Sequence, residues 1–277
     1  MKLLGIGDSV VDFYKDQGKI YPGGSALNVA VIAKRNGAEQ SSYMGILGLD
    51  EAGNHVMNCL RAEGIDISRV RRVEGPTGEA VVTLNEAGDR IFVGTNKEKR
   101  VQSLVALHFN QDDLDYIGEH DLVHTCISIT RGLEMELPKI ADQTISFDFS
   151  SPEYWTKEYL EFVSPYLSYA FFSGSELADS YIDELIEYVH KRGVPVVGVT
   201  RGDRPAIFSE KGKRVEQSVI PTNVVDTMGA GDSFIAAFLT NYHRSGDLPG
   251  SLQTAAECAA KVCGYYGAFG YGIEKSW

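Results

Sequence analysis

The run Asp226-Thr227-Met228-Gly229-Ala230-Gly231-Asp232-Ser233-Phe234 carries the clearest chemical signal in the chain. It leads into the apolar helical stretch IAAFLTNYH. Small residues at a helix N-terminus let several backbone N–H groups converge on one anion, and the helix dipole favours negative charge there. Asp232, in the first turn of such a helix, is placed to take a proton from an attacking hydroxyl. The plainer alternative is a tight turn whose aspartate only complements the dipole. A second run, Tyr21-Pro22-Gly23-Gly24-Ser25-Ala26-Leu27-Asn28-Val29-Ala30, pairs two glycines with an amide. Gly23 and Gly24 let a polyol approach the main chain, and Asn28 offers hydroxyls both a donor and an acceptor. The plainer alternative has Ser25 capping a helix and Asn28 satisfied inside the protein. The third is Gly5-Ile6-Gly7-Asp8, where a carboxylate at the end of a strand can meet sugar hydroxyls, or simply belong to a turn.

Other chemistries drop out. A dinucleotide fingerprint needs a glycine where Val10 stands, and no GxxxxGK[ST] phosphate loop occurs. His120 and His124 are four apart, but His124 falls in a strand-like run, so all six histidines read as structural or surface residues.

The elements that must position these motifs alternate. Strands are expected at Lys2–Gly7, Ser42–Ile46, Asp121–Thr125, Thr144–Phe149, Tyr169–Phe172 and Val194–Thr200. Helices are expected at Ser25–Arg35, Glu51–Glu63, Glu176–Arg192, Gly231–His243 and Leu248–Tyr265, several of them closed by glycine. This order predicts an α/β fold with a parallel sheet covered on both faces. Two hairpin-like segments break the rhythm, Val10–Tyr21 and Thr77–Asn96, the latter with strands Glu79–Leu84 and Arg90–Gly94. They suggest a small second sheet acting as a lid, whose open edges invite pairing with a second subunit. The glycine- and aromatic-rich GYYGAFGYG tail reads as a loop after the last helix.

With 26 basic and 38 acidic side chains the 277-residue chain carries a formal charge of −12, which argues against nucleic acid or an anionic membrane as partner. A 43% hydrophobic, 23% charged composition excludes disordered and fibrous classes. Cys59, Cys126, Cys258 and Cys263 are scattered without a CxxC pair, which fits a reducing cytoplasm. The apolar run in MKLLGIGDSV is too short for a signal peptide, and no later run approaches a membrane span.

The three motifs in this order, with Gly45-Ile46-Leu47-Gly48-Leu49-Asp50-Glu51-Ala52-Gly53 between them, resemble the ribokinase-like carbohydrate kinases, the PfkB family. The likeness spans nearly the whole chain, 1–277, taken as one kinase domain. It implies a doubly wound, mostly parallel sheet with a small β lid, and ATP-dependent phosphorylation of a sugar or nucleoside hydroxyl. ATP, Mg²⁺ and a monovalent cation are the cofactors it implies. Asp232 matches the family's catalytic base, and Gly229, Ala230 and Gly231 its anion hole, with Gly229 and Gly231 also meeting the nucleotide. Asp8, Gly23, Gly24 and Asn28 match substrate-binding positions, Glu176 the glutamate of the Asn-x-x-Glu magnesium motif, and Thr200 and Gly202 the nucleotide loop. Two departures stand out: the magnesium motif reads Ser173-Gly174-Ser175-Glu176, and Pro205 replaces a glycine of the nucleotide loop.

Within the family the chain is most similar to the fructoselysine and fructosamine 6-kinases, through GDSVVDFY, PGGSALNVAV and Ser146-Phe147-Asp148-Phe149-Ser150. The expected acceptor is therefore the 6-hydroxyl of a fructosamine, with Arg90 of the lid meeting the amino-acid carboxylate. The competing expectations are a fructokinase, ribokinase or nucleoside kinase, or a catalytically silent sugar-binding regulator, which has no need of a complete Gly229–Asp232 constellation. A nicotinamide oxidoreductase lacks its fingerprint. A cytoplasmic homodimer joined through the lid completes the expectation.

Overall fold

Short buried apolar runs, each ending at glycine or a polar residue, build the main sheet. The computed structural model describes residues 1–127 and 132–276. Its elements in chain order are β1 (Lys2–Gly7), β2 (Val10–Tyr14), β3 (Lys19–Gly23), α1 (Ser25–Arg35), β4 (Gln40–Gly48), α2 (Glu51–Ala62), β5 (Arg71–Val73), β6 (Gly78–Leu84), β7 (Arg90–Thr95) and α3 (Val101–Leu104). There follow α4 (Gln111–Gly118), β8 (Leu122–Cys126), β9 (Ile145–Asp148), α5 (Lys157–Val163), β10 (Tyr169–Ser173), α6 (Asp179–His190) and β11 (Val196–Arg201). The chain closes with β12 (Arg204–Glu210), β13 (Lys213–Gln217), α7 (Ala230–Ser245), α8 (Leu248–Val262) and β14 (Ile273–Glu274).

Among the described residues the main sheet runs β13-β12-β11-β10-β9-β8-β1-β4-β5. The seven strands from β11 to β5 pair in parallel, and β12 and β13 return antiparallel. Successive strand residues face opposite sides. Phe171 joins the core under α1, α2, α7 and α8, while Ala170 and Phe172 join the one under α4, α5 and α6. This is the expected parallel sheet covered on both faces. No helix among the described residues is long and apolar enough to cross a membrane.

The second sheet has the order β14-β3-β2-β6-β7 and takes in both expected hairpins. Strand β2 lies inside it, antiparallel to β3 and parallel to β6. The tail forms the expected loop and then adds β14 to β3, so this edge is covered. The free edge is β7, whose six residues are all exposed.

Three local outcomes differ from the sequence expectation. The helix expected from Glu176 begins at Asp179 instead. The Arg204 guanidinium engages the carbonyls of Gly174, Ser175 and Leu177, at 3.4, 2.5 and 2.9 Å, and Gly174 N–H bonds the Thr200 carbonyl, so residues 174–178 are held as a turn. The antiparallel β12–β13 hairpin was not anticipated, because Pro205 reads against a strand. The register of β11 against β12 shifts between Val199 and Arg201, and Pro205 falls at that bulge, where its missing N–H costs no ladder bond. Finally, α1 is capped by Gly24, not Ser25.

Buried histidines tie the sheet together. His124 Nδ1 lies 2.9 Å from Ser146 Oγ, and burial pushes its pKa down to about 3, so the ring stays neutral. Gly5 has a packing reason: a Cβ there would fall 2.4 Å from the Ala26 carbonyl oxygen, so its absence lets α1 lie against β1.

Candidate active site

Parallel strands deliver their C-terminal ends to one edge of the sheet, and the sheet order fixes what meets there. Strands β1, β8 and β9 are neighbours, so Asp8, Cys126 and Asp148 arrive side by side. Asp8 lies just past β1, where its Oδ1 accepts from Cys126 Sγ at 3.2 Å and from Ala26 N–H at 3.5 Å at the start of α1. Strands β10 and β11 continue the same edge with Ser173, Thr200 and the turn at Gly202.

Helices α1 and α7 supply the other wall. Asn28 Nδ2 donates to Asp232 Oδ2 at 2.7 Å, while the buried Asn28 Oδ1 has no partner within the protein. Asn28 is therefore half-satisfied, its amide oxygen left as an unused acceptor. Burial pushes the Asp232 carboxyl above its usual range, with the negative charge of Asp8 adding to the rise and the bond from Asn28 opposing it. A carboxylate so raised is a better proton acceptor near neutral pH. Gly229 caps α7 with φ +73°, and a Cβ there would fall 2.4 Å from Ala268 Cβ. A Cβ on Gly231 would meet open space, so the first turn of α7 is approachable.

The paired glycines also have a packing reason. At Gly24, φ is +116° and a Cβ would fall 2.6 Å from the Asp8 carbonyl oxygen. At Gly23 it would fall 2.2 Å from Asp12 Oδ2. Their smallness brings Asp8 and Asp12 against the start of α1.

The turn before α7 is pinned by a buried carboxylate. Asp226 accepts from Tyr14 Oη at 2.5 Å, Met228 N–H at 2.9 Å and Gly267 N–H at 2.8 Å. Burial and the neighbouring carboxylate push the Tyr14 phenol upward, so it keeps its proton and donates. A second lid contact comes from the β6–β7 turn: Thr227 N–H bonds the Gly88 carbonyl, and Arg90 Nη1 reaches the Thr227 carbonyl at 3.2 Å.

Apart from Gly229 and Gly231, the expected nucleotide and metal residues form a separate group. A Cβ on Gly202 would lie 3.4 Å from Ser175 Oγ, so the Gly202 turn and the turn carrying Glu176 are adjacent. No described hydrogen bond or ion pair joins Glu176, Thr200 or Gly202 to Asp232. Glu176 offers one exposed carboxylate, and Mg²⁺ commonly takes one or two carboxylates together with phosphate oxygens and water. That donor type fits the ion. Among the described residues no group of three acidic, His or Cys side chains forms a protein-only cage.

A pfkB family carbohydrate kinase pattern matches residues 4–274. The chain belongs to the pfkB family of carbohydrate kinases. It is 48% identical over 273 residues to the fructosamine kinase FrlD of Bacillus subtilis, covering 98% of this chain and 94% of that protein. It is 33% identical to the fructoselysine 6-kinase of Escherichia coli over 97% of this chain and all of that one. The fold is shared with the crystal structure of a Xylella fastidiosa fructokinase with bound ATP, at TM-score 0.80 and 20% identity over 97% of this chain and 94% of that one. A Thermotoga maritima ribokinase gives TM-score 0.75 at 21% identity, over 97% and 94%.

Sequence reasoning passed over Asp12, Asp148 and the role of Gly267, and took Tyr14 for lid surface facing the substrate, whereas it is buried against Asp226. Asp148 ends a strand as Asp8 follows one, and the same argument could have found it. Asp12 and Tyr14 are two apart in a strand and so share a face. Burial raises the Asp148 carboxyl to about 7, reinforced by the charges of Asp232 and Asp8. A carboxyl whose folded pKa is raised opposes folding as pH climbs past the ordinary value of 3.8, and the penalty stops growing above about 7. Asp148→Asn should therefore stabilise the ligand-free protein little near pH 4, increasingly up to pH 7, and constantly above it. Melting temperatures at pH 4.5, 6 and 8 check this; a shift independent of pH would contradict it.

Proposed function

We propose that this carbohydrate kinase transfers the γ-phosphate of ATP to the 6-hydroxyl of a fructosamine such as fructoselysine. The chemical half of the proposal is carried by one observation: Asp232, raised by burial, is oriented by Asn28 beside the approachable first turn of α7. Asp232 accepts the hydroxyl proton as the oxygen attacks phosphorus, and the N–H groups of Gly229, Ala230 and Gly231 take up charge on the transferring phosphoryl group. The substrate half is supported by the full-length 48% identity to a fructosamine kinase. Asp8 and Asn28 hold the sugar, with Gly23 and Gly24 shaping the wall behind it, and Arg90 meets the amino-acid carboxylate.

Thr200 and Gly202 would take the nucleotide, and Glu176 would hold magnesium, directly or through bound water. Magnesium supplies screening of the phosphate charges. The turn bearing Glu176 is braced by Arg204, which supports this reading despite Ser173 standing in place of an amide. A reducing, ATP-supplied cytoplasm suits the four free cysteines, Cys59, Cys126, Cys258 and Cys263.

Dimerisation through the lid is proposed in a narrower form than the sequence suggested. Strand β2 is interior and β14 covers β3, so the contact falls to β7, where Ile91, Phe92 and Val93 are 45%, 55% and 49% exposed. An apolar free edge of this kind is normally paired or covered. Sedimentation should give a dimer for the native chain and a monomer for Phe92→Lys; a native monomer, or a dimer indifferent to the change, would refute the contact.

For the reaction, Asp232→Asn keeps the size of the side chain but cannot accept the proton. With fructoselysine and ATP it should lower kcat about 10²–10⁴-fold while nucleotide affinity stays near native. Wild-type turnover by this variant would remove Asp232 from the role of base.

A further inference from the structure

The acceptor end of the site is overcharged. Burial raises the Asp12 carboxyl, the charge of Arg90 opposes the rise and those of Asp226, Asp232 and Asp8 add to it, while Asp148 feels Asp232 and Asp8. Among the described residues no Lys or Arg forms an ion pair with any of them. The nearest guanidinium to Asp12, that of Arg90, spends its hydrogen bond on the Thr227 carbonyl. Donors from the protein account for Asp226, by three bonds, for Asp232, by Asn28, for Asp8, by Cys126 and Ala26, and for Asp148, by Ser150 N–H at 2.8 Å.

Asp12 alone has none. It is 3% exposed and accepts no hydrogen bond from any described residue, and its carboxylate oxygens are not among the fully enclosed atoms without a partner, so they stay reachable from outside. Its position in β2 two residues before Tyr14 turns it to the face from which Tyr14 reaches Asp226, and its Oδ2 rests over Gly23 at the entry to α1. A buried carboxylate without a donor is costly, and the cost is recovered when a ligand brings a cation with N–H groups to it.

Resting on the fructosamine reading above, we propose that Asp12 binds the protonated amine of the substrate and thereby selects amine-bearing sugars over free ones. A secondary ammonium carries two N–H donors and a full positive charge, which suit a carboxylate better than a hydroxyl does. The surplus of acids then has a use: it favours a cationic acceptor substrate.

The test is a comparison of Asp12→Asn with the native enzyme on fructoselysine, on an N-acylated fructosamine lacking the charge, and on free fructose. The native enzyme should prefer fructoselysine. In the variant, kcat/KM for fructoselysine should fall about 30-fold or more, the scale of losing one partner of a buried charged pair, with much smaller losses on the two uncharged substrates. Removing a buried unpaired charge should leave the melting temperature at pH 8 equal or higher, so a loss of activity reports binding, not unfolding. Equal losses on all three substrates would show Asp12 serving a hydroxyl and overturn this inference alone. No loss on fructoselysine would overturn it as well, and native indifference to the amine would overturn it together with the fructosamine reading.

Discussion

Everything proposed for the site depends on where Asp226 points. This fully buried carboxylate receives a phenol from the lid, a backbone N–H from its own turn and another from the C-terminal tail. A lid strand 212 residues away and a tail 41 residues away are thereby fixed, with the turn itself, to one side chain. The turn it holds leads directly into Gly229–Gly231 and Asp232, so the geometry of the N–H groups proposed to bind the phosphoryl group follows from that junction. The tail contributes twice, since Ala268 packs against Gly229 while β14 extends the lid. Lid, tail and reactive helix are one mechanical unit.

The site also shows what function costs. Four carboxylates, Asp8, Asp12, Asp148 and Asp232, are raised by burial, so each is harder to ionise in the ligand-free protein than in water. A sequence selected for stability alone would not gather them at one sheet edge. The rest of the molecule offsets this with two dry cores on either face of a nine-stranded sheet.

Much of the fold was legible because buried parallel strands and amphipathic helices write their periods directly into the sequence. The DTMGAGD turn and its Asp232 were legible for a related reason: helix-start chemistry is local. What escaped was set by distant contacts. Glu176 reads as helical until Arg204, from a strand that closes an antiparallel hairpin, engages the carbonyls around it. Gly23 and Gly24 read as a polyol-facing turn, and their packing against Asp12 and the Asp8 main chain stays hidden. Tyr14 reads as lid surface, and only its partner 212 residues away gives it its role.

That partner makes the decisive measurement simple. Tyr14→Phe removes one hydroxyl from the junction and leaves the aromatic packing in place. If Asp226 sets the anion-binding turn, steady-state kinetics at a temperature where the variant is fully folded should show kcat reduced roughly 10²-fold, as expected for misplacing reactive groups by about an ångström, with KM for the sugar near its native value. A folded variant with native kcat would contradict the account.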